Sequence, residues 1–298
     1  MKAESLLVQT RRLLRQANLR ARKGLGQHFL IDGEVLELII SAAKLTPSDV
    51  ILEIGPGLGI LTKALARQAG WVMAIELDNK LAAILEQTLA SLDNVTIINE
   101  DILKIDPTAL LLKTGLPPAT NSYLSYKVVA NLPYYITSPI LRHFLETSVK
   151  PQIMVIMVQK EVAEAIVARP GQMSVLSISV QFYGEPSIVS YVPAHCFYPA
   201  PEVDSAILRI NPYPQPAVAI TDESSFFELV RAGFTASRKQ LGNSLAQGLE
   251  KPKAEILPLL AEASIVPQRR AETLTLDEWA RLWQVFIRGR HADCSGTG

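Results

Sequence analysis

Apolar residues follow two alternating rhythms along the first 210 positions. Short, nearly continuous apolar runs at 50–54, 71–77, 95–98, 127–130 and 153–158 predict strands. Between them, the segments 58–68, 80–89, 139–146 and 160–168 repeat their apolar residues at helical spacing, which predicts crossovers on a mostly parallel sheet. The run at 175–183 is ambiguous in period. Runs at 187–192 and 203–210 predict two late strands that close the sheet with an antiparallel edge, with the Pro-rich turn Tyr198-Pro-Ala-Pro-Glu202 between them. After Ile210 comes Asn-Pro-Tyr-Pro-Gln-Pro, a stiff segment that neither a helix nor a central strand tolerates. Beyond it, 224–234, 238–246, 253–263 and 276–288 read as helices bounded by Pro, Gly or polar caps. The organisation expected is an arm over 1–30, an α/β domain over 31–212, a small helical domain over 213–290 and a disordered polar tail over 291–298.

With 298 residues, 48% of them hydrophobic, the chain can bury a substantial core. No run reaches the roughly 18 apolar residues of a membrane span, and Arg11, Arg12 and Arg15 stand where a secretory signal needs an apolar segment. Cys196 and Cys294 are the only cysteines, and His143, His195 and His291 have no metal-ligand spacing, so neither a disulfide framework nor a metal is expected. The default compartment is the cytoplasm. The formal net charge is zero but unevenly spread: Lys2, Arg11, Arg12, Arg15, Arg20, Arg22 and Lys23 face Glu4 alone in the first thirty residues. Such an arm suits phosphate binding or an organelle-targeting leader, and both readings stay open.

The first strand runs into Glu53-Ile-Gly-Pro-Gly-Leu-Gly59, which places Gly55 and Gly57 at a strand's carboxyl end and before a helix, where a ligand approaches bare backbone. Glu76 ends the second strand twenty-one residues after Gly55, the separation at which an acidic side chain accepts hydrogen bonds from a ribose diol. The third glycine of a dinucleotide fingerprint is missing. A sulfonium ligand with an amino-acid tail, S-adenosylmethionine, suits the neighbouring Glu53 better than a pyrophosphate does. Asp101 and Ile102 end the third strand, where they suit an adenine amine and its ring face.

The fourth strand opens into Asn131-Leu-Pro-Tyr134. Pro133 fixes its own φ and keeps Leu132 extended, so the Leu132 carbonyl and the Asn131 side-chain oxygen are placed to accept both N–H groups of an adenine N6 amine. Tyr134 is placed to stack on the base. Such a transfer needs orientation and electrostatics rather than a general base before attack.

These segments resemble the KsgA-type small-subunit ribosomal RNA adenine dimethyltransferases. The likeness spans nearly the whole chain and includes Gly26-Gln-His-Phe-Leu30, the Glu53 to Gly59 loop, Glu76, Asp101 and Asn131 to Tyr134 with Ile136-Thr-Ser-Pro139. It continues through Phe197-Tyr-Pro-Ala-Pro-Glu-Val-Asp-Ser205 and Arg270-Ala-Glu-Thr-Leu274. The resemblance implies a Rossmann-like methyltransferase sheet with a small C-terminal helical domain. It also implies S-adenosyl-L-methionine as donor and S-adenosyl-L-homocysteine as product. The implied reaction is N6,N6-dimethylation of two adjacent adenosines near the 3′ end of small-subunit ribosomal RNA, by a monomer working on a pre-small-subunit particle. Carried over by position, His28 and Leu30 contact the methionyl end, Gly55 and Gly57 the cofactor backbone, Glu76 the ribose, Asp101 and Ile102 the adenine. Asn131 serves both ligands, with Leu132, Pro133, Tyr134 and Phe197 completing the base site; Phe197 and Tyr134 sandwich a flipped base. The chain departs from the family at His28, where Asn is usual, and at Ser237 and Gly242, where arginines are common. Two rivals share the fold: a large-subunit dimethyltransferase of the macrolide-resistance type, and a non-catalytic RNA-binding assembly factor.

Overall fold

The computed structural model describes residues 4–19, 27–113 and 125–295, with side chains to 289. Lys2, Arg20, Arg22, Lys23 and Gly26 of the arm lie outside the described residues. The chain forms two compact units, Met1–Ala163 with Pro186–Pro212, and Glu164–Glu185 with Tyr213–Gly298.

The first unit opens with α1 (Leu6–Gln16), β1 (Phe29–Leu30) and α2 (Gly33–Ala43). Alternation then begins: β2 (Val50–Ile54), α3 (Ile60–Ala66), β3 (Trp71–Ile75), α4 (Asn79–Thr88), β4 (Val95–Ile98), α5 (Pro107–Lys113), β5 (Lys127–Asn131), α6 (Thr137–Leu145) and β6 (Met154–Gln159). α7 (Lys160–Ile166) carries the chain out into the second unit, where α8 (Val175–Tyr183) forms. β7 (Gly184–Val192) brings it back, followed by β8 (Phe197–Tyr198) and β9 (Ser205–Pro212). Seven strands make one sheet in the order β4-β3-β2-β5-β6-β9-β7. β4 through β6 are parallel, and β9 runs antiparallel to β6, from Met154 opposite Ile210 to Gln159 opposite Ser205.

The central strands Ile51-Leu52, Val72-Met73-Ala74 and Val128-Val129 are wholly buried, as a sheet covered on both faces requires. On one face Ile39, Ile40 and Ala43 of α2 and Leu61 and Leu65 of α3 pack against Ile51, Val72, Val129 and Val155. Each such Ile, Leu or Val side chain contributes about 1.5–3 kcal/mol over exposure. Asp32 caps α2 by accepting from Glu34 and Val35, and Asp78 caps α4 in the same way through Lys80 and Leu81. Strand order reverses between β2 and β5, so the carboxyl ends of these two strands flank the crevice where open α/β sheets bind ligands.

Several expectations need correction. The strand expected over 71–77 stops at Ile75, because the Glu76 side chain turns the chain by accepting from the Asp78 amide. The ambiguous 175–183 run is helix α8, fixed by the reciprocal Ser174–Ser177 capping box. Helices α1, α2 and α5 are additions to the expected elements, and the helix expected over 160–168 ends at Ile166.

The second unit takes α8 together with α9 (Glu223–Phe234), α10 (Leu241–Gly248), α11 (Lys253–Glu262) and α12 (Leu276–Ser295). Residues 164–185, expected in the first domain, belong here for a physical reason. Phe182 stacks on Phe226 at 5.2 Å and meets Phe227 edge-on at 5.3 Å, while the Tyr183 and Phe182 carbonyls accept from the amides of Tyr213 and Ala217. The helix expected over 238–246 starts at Leu241, since Gln240 is extended. α12 continues to Ser295, past the tail boundary expected at 290, propagating from a first half anchored by buried Trp279, Trp283 and Phe286.

Candidate active site

A cavity of about 720 Å³ opens at the carboxyl ends of β2, β3, β4 and β5. The turn after β2 forms its floor, with Gly55, Gly57 and Gly59 at φ of +65°, +60° and +76°. The left-handed backbone at Gly57 favours glycine, and a side chain there would also bring its Cβ to 3.1 Å from the Phe29 ring, which would have to give by a few tenths of an ångström. Glu76 ties the turn to β3: its carboxylate accepts from the Gly57 amide at 3.1 Å and from the Asp78 amide at 2.9 Å. Burial raises its pKa above the ordinary carboxylate range, and the backbone amides of Asp78, Gly57 and Leu77 oppose that rise. A carboxylate has about four acceptor sites, so about two remain for a ligand hydroxyl pair.

Glu53 lies deeper on the same wall and is 1% exposed. Burial pushes its carboxyl up to about 8, with the Thr62 hydroxyl opposing and the Glu76 charge adding to the effect. Among the described residues its Oε2 has no hydrogen-bond partner. A buried acid of this kind stays protonated at neutral pH until a cation comes beside it. Asp101 and Ile102 stand at the far wall; Asp101 Oδ1 accepts from the Leu103 amide at 3.1 Å and so fixes the turn that carries Ile102.

At the near wall β5 ends in Asn131, whose Nδ2 donates to the His28 carbonyl at 3.0 Å. Among the described residues Oδ1 has no hydrogen-bond partner, so the amide is oriented with its acceptor uncommitted. His28 is held in turn: its Nδ1 meets the Pro199 carbonyl at 2.7 Å, and its ring stacks on Tyr134 at 6.0 Å and 21°. β1 and β8 pair antiparallel, Phe29 opposite Tyr198 and Leu30 opposite Phe197.

The structure therefore gathers His28, Leu30, Gly55, Gly57, Glu76, Asp101, Ile102, Asn131 and Pro133 on one cavity. Leu132, Tyr134 and Phe197 do not line it. Leu132 is buried and its amide donates to the Met157 carbonyl, Tyr134 turns its hydroxyl to Ser205, and Phe197 is 3% exposed in the core beside Leu30 and Cys196. Tyr135, Asp78 and Lys80 also line the cavity, beyond the residues that sequence reasoning singles out. Tyr135 directly follows the Asn-Leu-Pro-Tyr segment, and that adjacency is the one signal available for it.

A reversing parallel sheet, a left-handed glycine turn and acids just beyond the carboxyl ends of β3 and β4 define a Rossmann-like methyltransferase. The family model for "Ribosomal RNA adenine dimethylase" matches residues 18–286, and the chain belongs to that family. It is 50% identical over 283 residues to the "Ribosomal RNA small subunit methyltransferase A" of Dehalococcoides mccartyi, covering 95% of this chain and 94% of that one. The protein of the same name from Moorella thermoacetica is 47% identical over 279 residues, covering 91% and 94%. Among solved structures, a dimethyladenosine transferase from Plasmodium falciparum superposes with a TM-score of 0.72 at 25% identity, covering 88% of this chain and 98% of that one. The 23S rRNA methyltransferase ErmE gives 0.65 at 27% identity, covering 87% and 99%. Proteins of this class use S-adenosylmethionine as methyl donor, and the cavity fits it: bare glycine backbone, an acid with spare acceptor sites and a buried carboxyl whose Oε2 has no partner among the described residues, for a cationic ligand.

Proposed function

We propose that the protein dimethylates N6 of two adjacent adenosines near the 3′ end of small-subunit ribosomal RNA, in the cytoplasm, as a monomer acting on a pre-small-subunit particle. The observation that carries this reading is Asn131, tethered through Nδ2 to the His28 carbonyl and sharing one cavity with the glycine turn, Glu76 and Asp101. S-adenosylmethionine, when bound, supplies an electrophilic methyl group. Gly55 and Gly57 admit it to the backbone, Glu76 accepts from the ribose hydroxyls, Asp101 with Ile102 holds the adenine, and His28, Leu30 and Glu53 receive the methionyl end. Asn131 Oδ1 and the Leu132 carbonyl accept the two N–H groups of the target amine, drawing its lone pair out of ring conjugation. Pro133 keeps that corner rigid, so the chain's own contribution is mainly orientation. Tyr134 stacks on the flipped base. Phe197 completes the sandwich only by leaving its buried position, a movement of the β1–β8 ribbon that binding energy must drive.

Relatives named for the small subunit reach 51% identity, whereas the enzyme named for 23S RNA stands at 27%, which favours the small-subunit substrate over the macrolide-resistance type. Intact Asn131, Glu76 and Asp101 favour an enzyme over a non-catalytic assembly factor. The deciding experiment incubates the protein with labelled S-adenosylmethionine and separated small and large ribosomal RNAs, then digests to nucleosides. Label in N6,N6-dimethyladenosine from the small RNA is expected; label from the large RNA, or none, overturns the proposal.

A further inference from the structure

Tyr134 is held at its far end as well as on its face. Its hydroxyl lies 2.8 Å from Ser205 Oγ, and Ser205 is completely buried at the first position of β9, opposite Gln159 of β6. The preceding residue anchors this point on two sides: the Asp204 carbonyl accepts from the Lys160 amide at 3.0 Å, and its Oδ1 accepts from the Ala194 amide at 2.9 Å. The Ser205 hydroxyl has no other partner than the phenol among the described residues. With His28 stacked on one face and Ser205 gripping the hydroxyl, the Tyr134 ring is restrained in both tilt and translation.

We propose that Ser205 is a positioning residue for methyl transfer: by gripping the Tyr134 hydroxyl it sets the plane on which the flipped adenine stacks, and thereby the aim of N6. This rests on the base-stacking role given to Tyr134 above. A ring released from Ser205 still offers an aromatic face, so binding survives while alignment suffers. Small misplacements of a reacting group cost turnover steeply.

The test compares Ser205→Ala, Tyr134→Phe, their double variant and Tyr134→Ala on a small-subunit RNA fragment, with 2-aminopurine at a target position as the stacking probe. Ser205→Ala and Tyr134→Phe are each expected to lower kcat by about ten- to a hundredfold and to weaken quenching of the probe. KM for RNA is expected to stay within about threefold, because ground-state binding is little changed. The double variant is expected to be no slower than the slower single variant, since both remove the same bond. Normal kcat in either single variant, or multiplicative losses in the double, overturns the assignment. Melting temperature and cofactor affinity monitor folding; if Ser205→Ala unfolds, Tyr134→Phe decides alone. Tyr134→Ala at full kcat with the probe quenched as in the wild type overturns the stacking reading itself, whereas an impaired Tyr134→Ala beside a normal Ser205→Ala overturns only the role of Ser205.

Discussion

Asn131 and Glu53 share a cavity yet are held in opposite ways. Asn131 has one end of its amide fixed and the other uncommitted, so removing it should cost transition-state alignment rather than RNA affinity. Asn131→Ala is expected to lower single-turnover methylation by about a hundred- to a thousandfold, with binding to RNA nearly unchanged on filters. Glu53 holds a proton that the unfolded chain gives up. Its folded pKa of about 8 lies above the ordinary 4.5, so the native state binds the extra proton between these values, and stability falls as pH rises through that window. Glu53→Gln removes the penalty: its melting temperature should exceed the wild type's by a margin that widens from about pH 5 to about pH 8 in calorimetry. A cationic ligand beside the carboxyl should expel the proton, so the heat of S-adenosylmethionine binding at neutral pH should vary with buffer ionisation enthalpy in the direction of proton release. The glycine turn, Glu76, Asp101 and Asn131 were legible in the sequence because each ends a strand or follows one within a few residues. Glu53's protonation and Ser205's grip on Tyr134 were not, since both depend on burial and on partners far along the chain.

Among elements, α1 was hidden by its own charge. Its arginines mark a basic arm, while Leu14 packs with Phe29, Leu58 and Leu81, and Arg11 lies 5.0 Å from the Tyr198 ring centroid. The arm is thus in part a docked amphipathic helix, with Arg12 and Arg15 exposed beside its buried stripe. Deleting the residues before Lys23 is expected to flatten the dependence of log RNA affinity on log salt, by about 0.7–0.9 for every phosphate that the arm neutralises. An unchanged slope in a salt titration would return the arm to a targeting leader. The strands were legible because a doubly covered sheet demands continuous apolar runs. α2 was not, since its Val35-Leu36 and Leu38-Ile39-Ile40 runs leave too few polar residues to mark a helical face.

At the scale of the whole molecule, the Pro-rich linker suggested one boundary, yet the chain passes between its units three times. Nothing local in residues 164–185 announces this, because the choice is made by Phe182 meeting Phe226 and Phe227, more than forty positions on. A fragment of residues 213–298 therefore lacks one of its core aromatics. It is expected to show helical far-ultraviolet ellipticity without a cooperative thermal transition; a sharp melt would show that α8 is dispensable to that unit.

The short ribbon of β1 with β8 carries a temporal consequence. His28 and the Pro199 carbonyl that holds its ring are 171 positions apart, so the wall bearing Asn131's tether is closed by a segment made late in synthesis. Long-range closures of this kind come after local structure in folding. A nascent chain still on the ribosome thus has its glycine turn and Asn131 long before it can hold them in register, and competence to modify RNA arrives only once residue 199 has emerged and folded back.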